Sequence, residues 1–384
     1  MQELLVLTSG RCDATEKTKA KRQQKEKKRM KSSGFLSPIM MMVSLIVMSM
    51  APRSVKGVSD SSLEEAFLVD NAAMDAFAQV LLESAGVFEG DVEIGENVTS
   101  LKGRLEGLVK VGGDLKISNT AQLTSLDGLQ SLTSVGGDLS IWYYNAKLTS
   151  LGGLEGLTSI GGRLLIESNP NLTSLDGLQN LASVGGYLWI ENNAQLTSLD
   201  GLRSLASIGG GLHIEYNAQL TSLGGLEGLT SISGDLDIWD DAALTSLDGL
   251  DRLHTVGGYL NIYENDDLKS LAGLEELTRV GGYLGIGLND QLTSLAGLEE
   301  LTSVGGWLRI TSNPELYTLG GLDGLTNVGG DLFIKENPQL TSIAGSLSSL
   351  DRVAGSVSVE LNHPVSDLPS TRIGSLQELK ENIM

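Results

Sequence analysis

Cysteine is nearly missing: the 384 residues hold one, Cys12, near the start. The body of the chain therefore has no intramolecular disulfide in any compartment, and a structure able to bury much apolar surface does not need one. Aromatic residues are only 4% of the chain, fewer than a globular enzyme core ordinarily uses. Histidine is scarce too. His213, His254 and His363 fall in different columns of the repeat described below, so they are not expected to converge on a metal or to form a nucleophile–base pair. Basic residues are concentrated at one end. Residues 1–34 carry ten Lys/Arg against four acids, and with a total charge of −21 the remainder stands near −27. So acidic a body is expected to repel nucleic acid and anionic lipid, because phosphate recognition requires clustered Lys and Arg.

What is abundant is glycine, 48 residues in a chain that is not low-complexity. A turn made many times over is the simplest source of that excess, which makes periodicity the first thing to test.

Residues 1–34 form a basic head, expected to be disordered, followed at 35–52 by a run of Ile, Met, Val and Leu. The uncharged stretch is just long enough to cross a bilayer as a helix, and positive charge on its N-terminal side predicts a cytoplasmic head and an outward-facing body. Two readings are open. An uncleaved anchor in type II orientation would hold the body at the cell surface or in the secretory pathway. A cleaved signal peptide, using Ser49 and Ala51 but disfavoured by Pro52, would secrete it. Residues 53–86 read as a linker and an amphipathic helix from Ser61 to Glu83, with Ser61 and Glu64 as a capping box and Leu63, Phe67, Met74, Phe77 and Leu81 as its apolar stripe. Its expected role is to lid the open end of a repeat array.

From Val98 the sequence repeats every 24 residues, with one-residue insertions in the first two copies. A clean copy runs from Leu172 to Gln195, with apolar residues at Leu172, Leu175, Leu178, Leu181, Val184, Leu188 and Ile190. Steps of three followed by a step of two do not fit a helical stripe, and the intervening Gly, Ser and Thr are poor helix formers. The step of two marks a strand, and the steps of three suit a chain turning corners with one residue inward on each side. Gly177 is matched by glycine in every copy, as is Gly186, while the residue before Gly186 is replaced by Ser233 and Ala354. Two corners are thus expected to need positive φ or close backbone approach, and the first glycine of the pair is merely tolerated. Asn193 recurs as Asn119, Asn145, Asn169, Asn217 and onward, with Asp241 as a substitute. Its amide suits a ladder that satisfies corner backbone groups within and between coils.

The predicted fold is mainly β: a right-handed parallel β-solenoid of about eleven 24-residue coils over residues 87–365, with an N-terminal membrane or signal helix, a capping helix and a C-terminal cap at 366–384 that includes a short helix from Ser375 to Asn382. One coil cannot offset its own ordering entropy, so copies must stack. The pattern Gly-Gly-x-Leu-x-Ile-x-x-Asn-x-x-Leu-x-x-Leu-x-Gly-Leu resembles the coil of receptor L-domains, the β-helical ligand-binding modules of the insulin and epidermal growth factor receptors, and more loosely leucine-rich repeats. The resemblance implies the fold and a binding role. The disulfides of the animal receptors and a following kinase are missing, so it does not imply growth-factor signalling.

Where strand residues point outward the copies stop agreeing. The varied columns hold Trp142, Tyr187, Trp189, His213, Trp239, Tyr259, Tyr263, Tyr283, Trp307, Arg309 and Phe333. Exposed aromatics and Arg on a rigid sheet are suited to recognition of a protein partner, or of a glycan by stacking. The competing reading is that the aromatics pack on one another across coils for stability. A Thr column from Thr124 to Thr341, interrupted at Lys269 and Tyr317, is a weaker hint of ice binding. Enzymatic activity, a cofactor and a metal are not expected. The densest acidic cluster, Asp235, Asp237, Asp240 and Asp241, has no Lys or Arg in its coil to serve a lyase. Asn97 and Asn171 begin glycosylation sequons.

Overall fold

Two-residue alternation needs a sheet on which to place its inward side, and three-residue steps need corners; the repeat supplies one strand of each kind per turn. In the computed structural model, which describes residues 65–343, 346–361 and 371–383, each coil contributes a four-residue strand such as Leu188–Glu191 and a two-residue strand such as Ser183–Val184. The four-residue strands stack into a 14-stranded sheet and the short ones into a 12-stranded sheet. Coil neighbours are parallel and in strict register, Leu188 beside Leu164 and Leu212, Ile190 beside Ile166 and Ile214. The chain is therefore a parallel β-solenoid of about twelve turns, one more than expected. The extra turn is the strand Val87–Phe88 with Asp91–Asn97, where the sequence is too divergent to align with later copies.

All seven apolar positions of the clean copy are at most 1% exposed, and their counterparts form a single continuous core. Each such side chain is worth roughly 1.5–3 kcal/mol on burial. At the first corner Gly177 has φ of 116°, repeated at Gly128, Gly153, Gly225 and Gly249. A Cβ there would also strike the carbonyl of Leu151 in the preceding coil, so side chains are excluded twice over. The Gly-Gly corner works by proximity alone. Neither member has a positive φ, and a Cβ on Gly185 would meet the carbonyl oxygen of Gly161, while one on Gly186 would sit 3.0 Å from the carbonyl carbon of Gly162. The first glycine of the pair fits closely against the preceding coil, yet Ser233 and Ala354 occupy the same position, in keeping with the tolerance expected there.

The asparagine ladder is present. Asn193 donates from Nδ2 to Ile166 O (2.9 Å) and Glu191 O (3.1 Å), and its backbone N–H donates to Asn217 Oδ1 (3.2 Å). Its first rung is Thr120, not Asn119: Thr120 is fully buried and donates from N and Oγ1 to Asn145 Oδ1. Asn119 lies one residue earlier, at a left-handed position (φ 55°).

The N-terminal cap also differs from expectation. Residues Glu65–Asp70 are a strand parallel to Asp91–Asn97, and the helix α1 spans only Asn71–Glu83, capped by Asp70 Oδ1 accepting from Ala73 N. An unpaired sheet edge offers backbone partners that outweigh the helical pattern of these residues. The inward stripe of α1, Met74, Phe77 and Leu81, is buried, with Phe77 edge-on to Phe88 at 5.1 Å. At the other end Thr371–Ile373 pairs antiparallel with Val357–Leu361, and helix α2, Leu376–Ile383, follows. Residues 1–34 and the expected anchor at 35–52 lie outside the described residues, as does His363. Among the described residues no helix is long and apolar enough to cross a membrane.

Candidate functional site

The outward face of the 14-stranded sheet carries the varied columns, and register places their members side by side. One column runs Trp189, His213, Asp237, Asn261, Gly285, Arg309, Phe333. A second, two residues on, runs Glu191, Glu215, Trp239, Tyr263, Gly287, Thr311. A third precedes the strand and holds Tyr187, Tyr259, Tyr283 and Trp307.

In the middle coils these side chains lie on one another. Tyr259 stacks on Tyr283 (centroids 4.7 Å) and Tyr283 on Trp307 (4.0 Å), with planes within 7°. Trp189 stacks on His213 at 4.8 Å, Tyr187 leans on the same imidazole at 5.5 Å, and Trp239 leans on Tyr263 at 5.8 Å. Tyr263 occupies space that two glycines leave: a Cβ on Gly285 or Gly287 would come within 2.8 Å of its ring. Burial follows, and His213, Glu215, Asp237, Asn261 and Thr311 are at most 8% exposed. Burial also raises the Tyr259, Tyr263 and Tyr283 hydroxyls above the usual phenol range.

Elsewhere the aromatics remain open. Trp142 and Tyr187 are each 38% exposed, and Tyr143 and Tyr144, which follow Trp142, are 50% and 61% exposed. Tyr143 and Tyr144 both have left-handed φ (58° and 67°), where other coils place a single such residue. They are the inserted residue and its neighbour. Sequence reasoning passed over them, although the insertion was itself the signal. Arg309 is exposed and Phe333 half-buried, with Lys335 Nζ 5.8 Å from its ring.

The acidic residues separate into different roles. Asp138 Oδ1 accepts from Arg163 N (2.7 Å), and Asp235 Oδ1 from Tyr259 N (3.0 Å), so this column clamps the backbone of the next coil. Hydrogen bonds and charge from Arg163 hold the Asp138 carboxyl below its ordinary range despite its partial burial. Asp241 is fully buried in the ladder, with Oδ1 accepting from Asn217 N (2.7 Å) and Oδ2 without a partner. Burial pushes its pKa up to about 8. The run from Asp235 to Asp241 is therefore dispersed over three surfaces and forms no single acidic site.

Asp237 instead joins residues of the preceding coil. His213 Nδ1 lies 3.5 Å from Glu215 Oε1 and 3.9 Å from Asp237 Oδ2, and one donor atom from each falls within 4.8 Å of the others. Burial, then the charge of Glu215, raises Asp237 to about 6, partly offset by His213. The expectation that histidine columns preclude a metal-binding group considered only histidine against histidine. A 24-residue step from His213 to Asp237 and a two-residue step to Glu215 were visible in the sequence.

A depression of about 550 Å³ lies elsewhere, along the short strands, lined by Ser134, Ser159, Ser183, Ser207 and Ser231. It holds none of the varied residues. In the Thr column, Thr173 and Thr197 donate their hydroxyls to the preceding coil's carbonyls, the use expected of corner threonines. Asn97 and Asn171 are both exposed, and Asn171 Nδ2 donates to Ala146 O. The class of protein defined by this geometry is a parallel β-solenoid repeat protein with one varied wall. The chain matches no protein-family model and no curated protein.

Proposed function

We propose that the protein is a non-enzymatic, extracytoplasmic recognition module that binds a protein partner through the outward face of its long sheet. The observation that carries this reading is the contrast between seven uniformly aliphatic inward columns and three outward columns in which Trp, Tyr, Arg and Glu vary from coil to coil. A solenoid needs monotony inside to stack. Variation confined to one wall is unnecessary for folding, and rigid aromatics are the residues that dominate interface energetics. A right-handed winding of the receptor L-domain kind, and an anchor or signal at 35–52, belong to the same reading.

The open group Trp142, Tyr143, Tyr144 and Tyr187 is the favoured contact, because the aromatics of the middle coils are already engaged with one another. A glycan is the second reading, favoured by the same exposed rings on a face that also carries the register-paired Glu167 and Glu191. The test is binding of the full chain to arrays of extracellular proteins and of glycans, alongside Trp142→Ala/Tyr144→Ala and Tyr187→Ala variants. Loss of binding by tenfold or more with unchanged melting is expected, and the array that responds assigns the partner class. Binding that survives all three substitutions, or none on either array, would remove the proposal.

A further inference from the structure

We propose that His213, Glu215 and Asp237 form a binding site for a divalent first-row transition cation of the zinc class. Two adjacent strands build it. Leu212–Glu215 supplies His213 and Glu215 from one face, and Leu236–Trp239 supplies Asp237, which is directly paired with His213. The donor separations of 3.5 and 3.9 Å are close to the roughly 3.4 Å that ligands about 2.1 Å from a tetrahedral ion would show. Small side-chain rotations would close the remainder.

Three features point to a cation and not merely to a polar patch. All three residues are more than nine-tenths buried, where two neighbouring carboxylates are costly without a compensating charge. The Leu188–Glu191, Leu212–Glu215, Leu236–Trp239 and Leu260–Tyr263 strands hold no Lys or Arg, and His213 is their one basic side chain. Independently, Asp237 Oδ1 is buried with no hydrogen-bond partner, although its sister oxygen has Tyr259 Oη at 3.4 Å and His213 Nδ1 at 3.9 Å. An imidazole with two carboxylates favours zinc-class ions over Ca²⁺ or Mg²⁺, which prefer all-oxygen shells. Trp189, stacked on the imidazole, and Tyr259, at the carboxylate, hold two of the donors in place as outer partners do in metal sites.

The consequence is a cross-link between successive coils at the centre of the face, independent of whether that face binds a partner. The test is calorimetric titration of metal-stripped full chain with Zn²⁺, repeated with Ca²⁺, and with melting followed in parallel. One saturable Zn²⁺ equivalent and a raised melting temperature are expected, with Ca²⁺ giving neither. His213→Gln and Asp237→Asn should each weaken Zn²⁺ by at least about tenfold. Asparagine already occupies the neighbouring position as Asn261, so Asp237→Asn suits the fold, and its metal-free melting should not fall below that of the parent. The exposed Asp248→Asn should bind Zn²⁺ as the parent does. No saturable site, equal affinity in the His213 and Asp237 variants, or equal response to Ca²⁺ would overturn the assignment.

Discussion

Two stretches of one wall use the same kinds of residue to opposite ends. Between Trp142 and Tyr187 the rings are more than a third exposed although Trp142 leans on Tyr143 at 5.9 Å and Tyr187 on His213, whereas between Tyr259 and Trp307 they form a continuous stack beside Tyr263, which lies across glycines. The columns are the same in both, but only the open stretch carries the extra left-handed residue of Tyr143–Tyr144. Gly285 and Gly287 admit the ring of Tyr263, whereas the strand after Trp142 presents Leu165 and Glu167; Tyr187 lies over Gly211 and is still 38% exposed.

The largest effect should come from beneath the packed stretch. In the ladder, an asparagine Nδ2 faces two carbonyls, as Asn217 Nδ2 faces Ile190 O and Glu215 O. Asp241 presents an oxygen there, which must carry a proton to donate. Its folded pKa is about 8 against an ordinary carboxyl value of 3.8, so between those values the folded chain binds more protons than the unfolded one. Stability therefore falls as pH rises from about 4 to about 8 and levels off above. Asp241→Asn should flatten the part of that slope above about pH 6, below which Asp237 also titrates, and stabilise the protein over the parent at pH 9 but not at pH 4, read by denaturant melts across pH. A slope that persists would place the titration elsewhere.

A smaller loss is expected from refilling the space under Tyr263. Gly287→Leu should cost about 2–3 kcal/mol, since its Cβ would meet Tyr263 Cε1 at 2.6 Å and Thr311 O at 2.8 Å; unchanged melting would show that the ring moves aside freely. The smallest is a paired comparison. Tyr283→Ala breaks two stacks and should cost about 1–3 kcal/mol, while Trp142→Ala should change stability by under about 0.5 kcal/mol. Equal losses would erase the distinction between the stretches.

Much of this architecture was legible because it repeats. Leu175, Gly177, Leu188 and Asn193 each recur with a fixed job, so a column of the sequence is a column of the structure. Legibility failed where a residue's role depends on something that does not recur. Phe67 fits a helical stripe as well as a strand, and only the free edge of Asp91–Asn97 decides between them. Asn119 matched by identity, but the ladder follows backbone position and took Thr120. His213, Glu215 and Asp237 come from two columns and two coils, so no single column displays them together.

The last strand bears on how the molecule behaves in company. Stacked parallel coils have no intrinsic stopping point, and a bare final rung would template a second chain as readily as it received its own predecessor. Thr371–Ile373 runs against the direction of the other strands, and helix α2 follows it directly. An incoming parallel coil would find the opposite strand polarity at that edge, so the chain's own repeat geometry is not continued there.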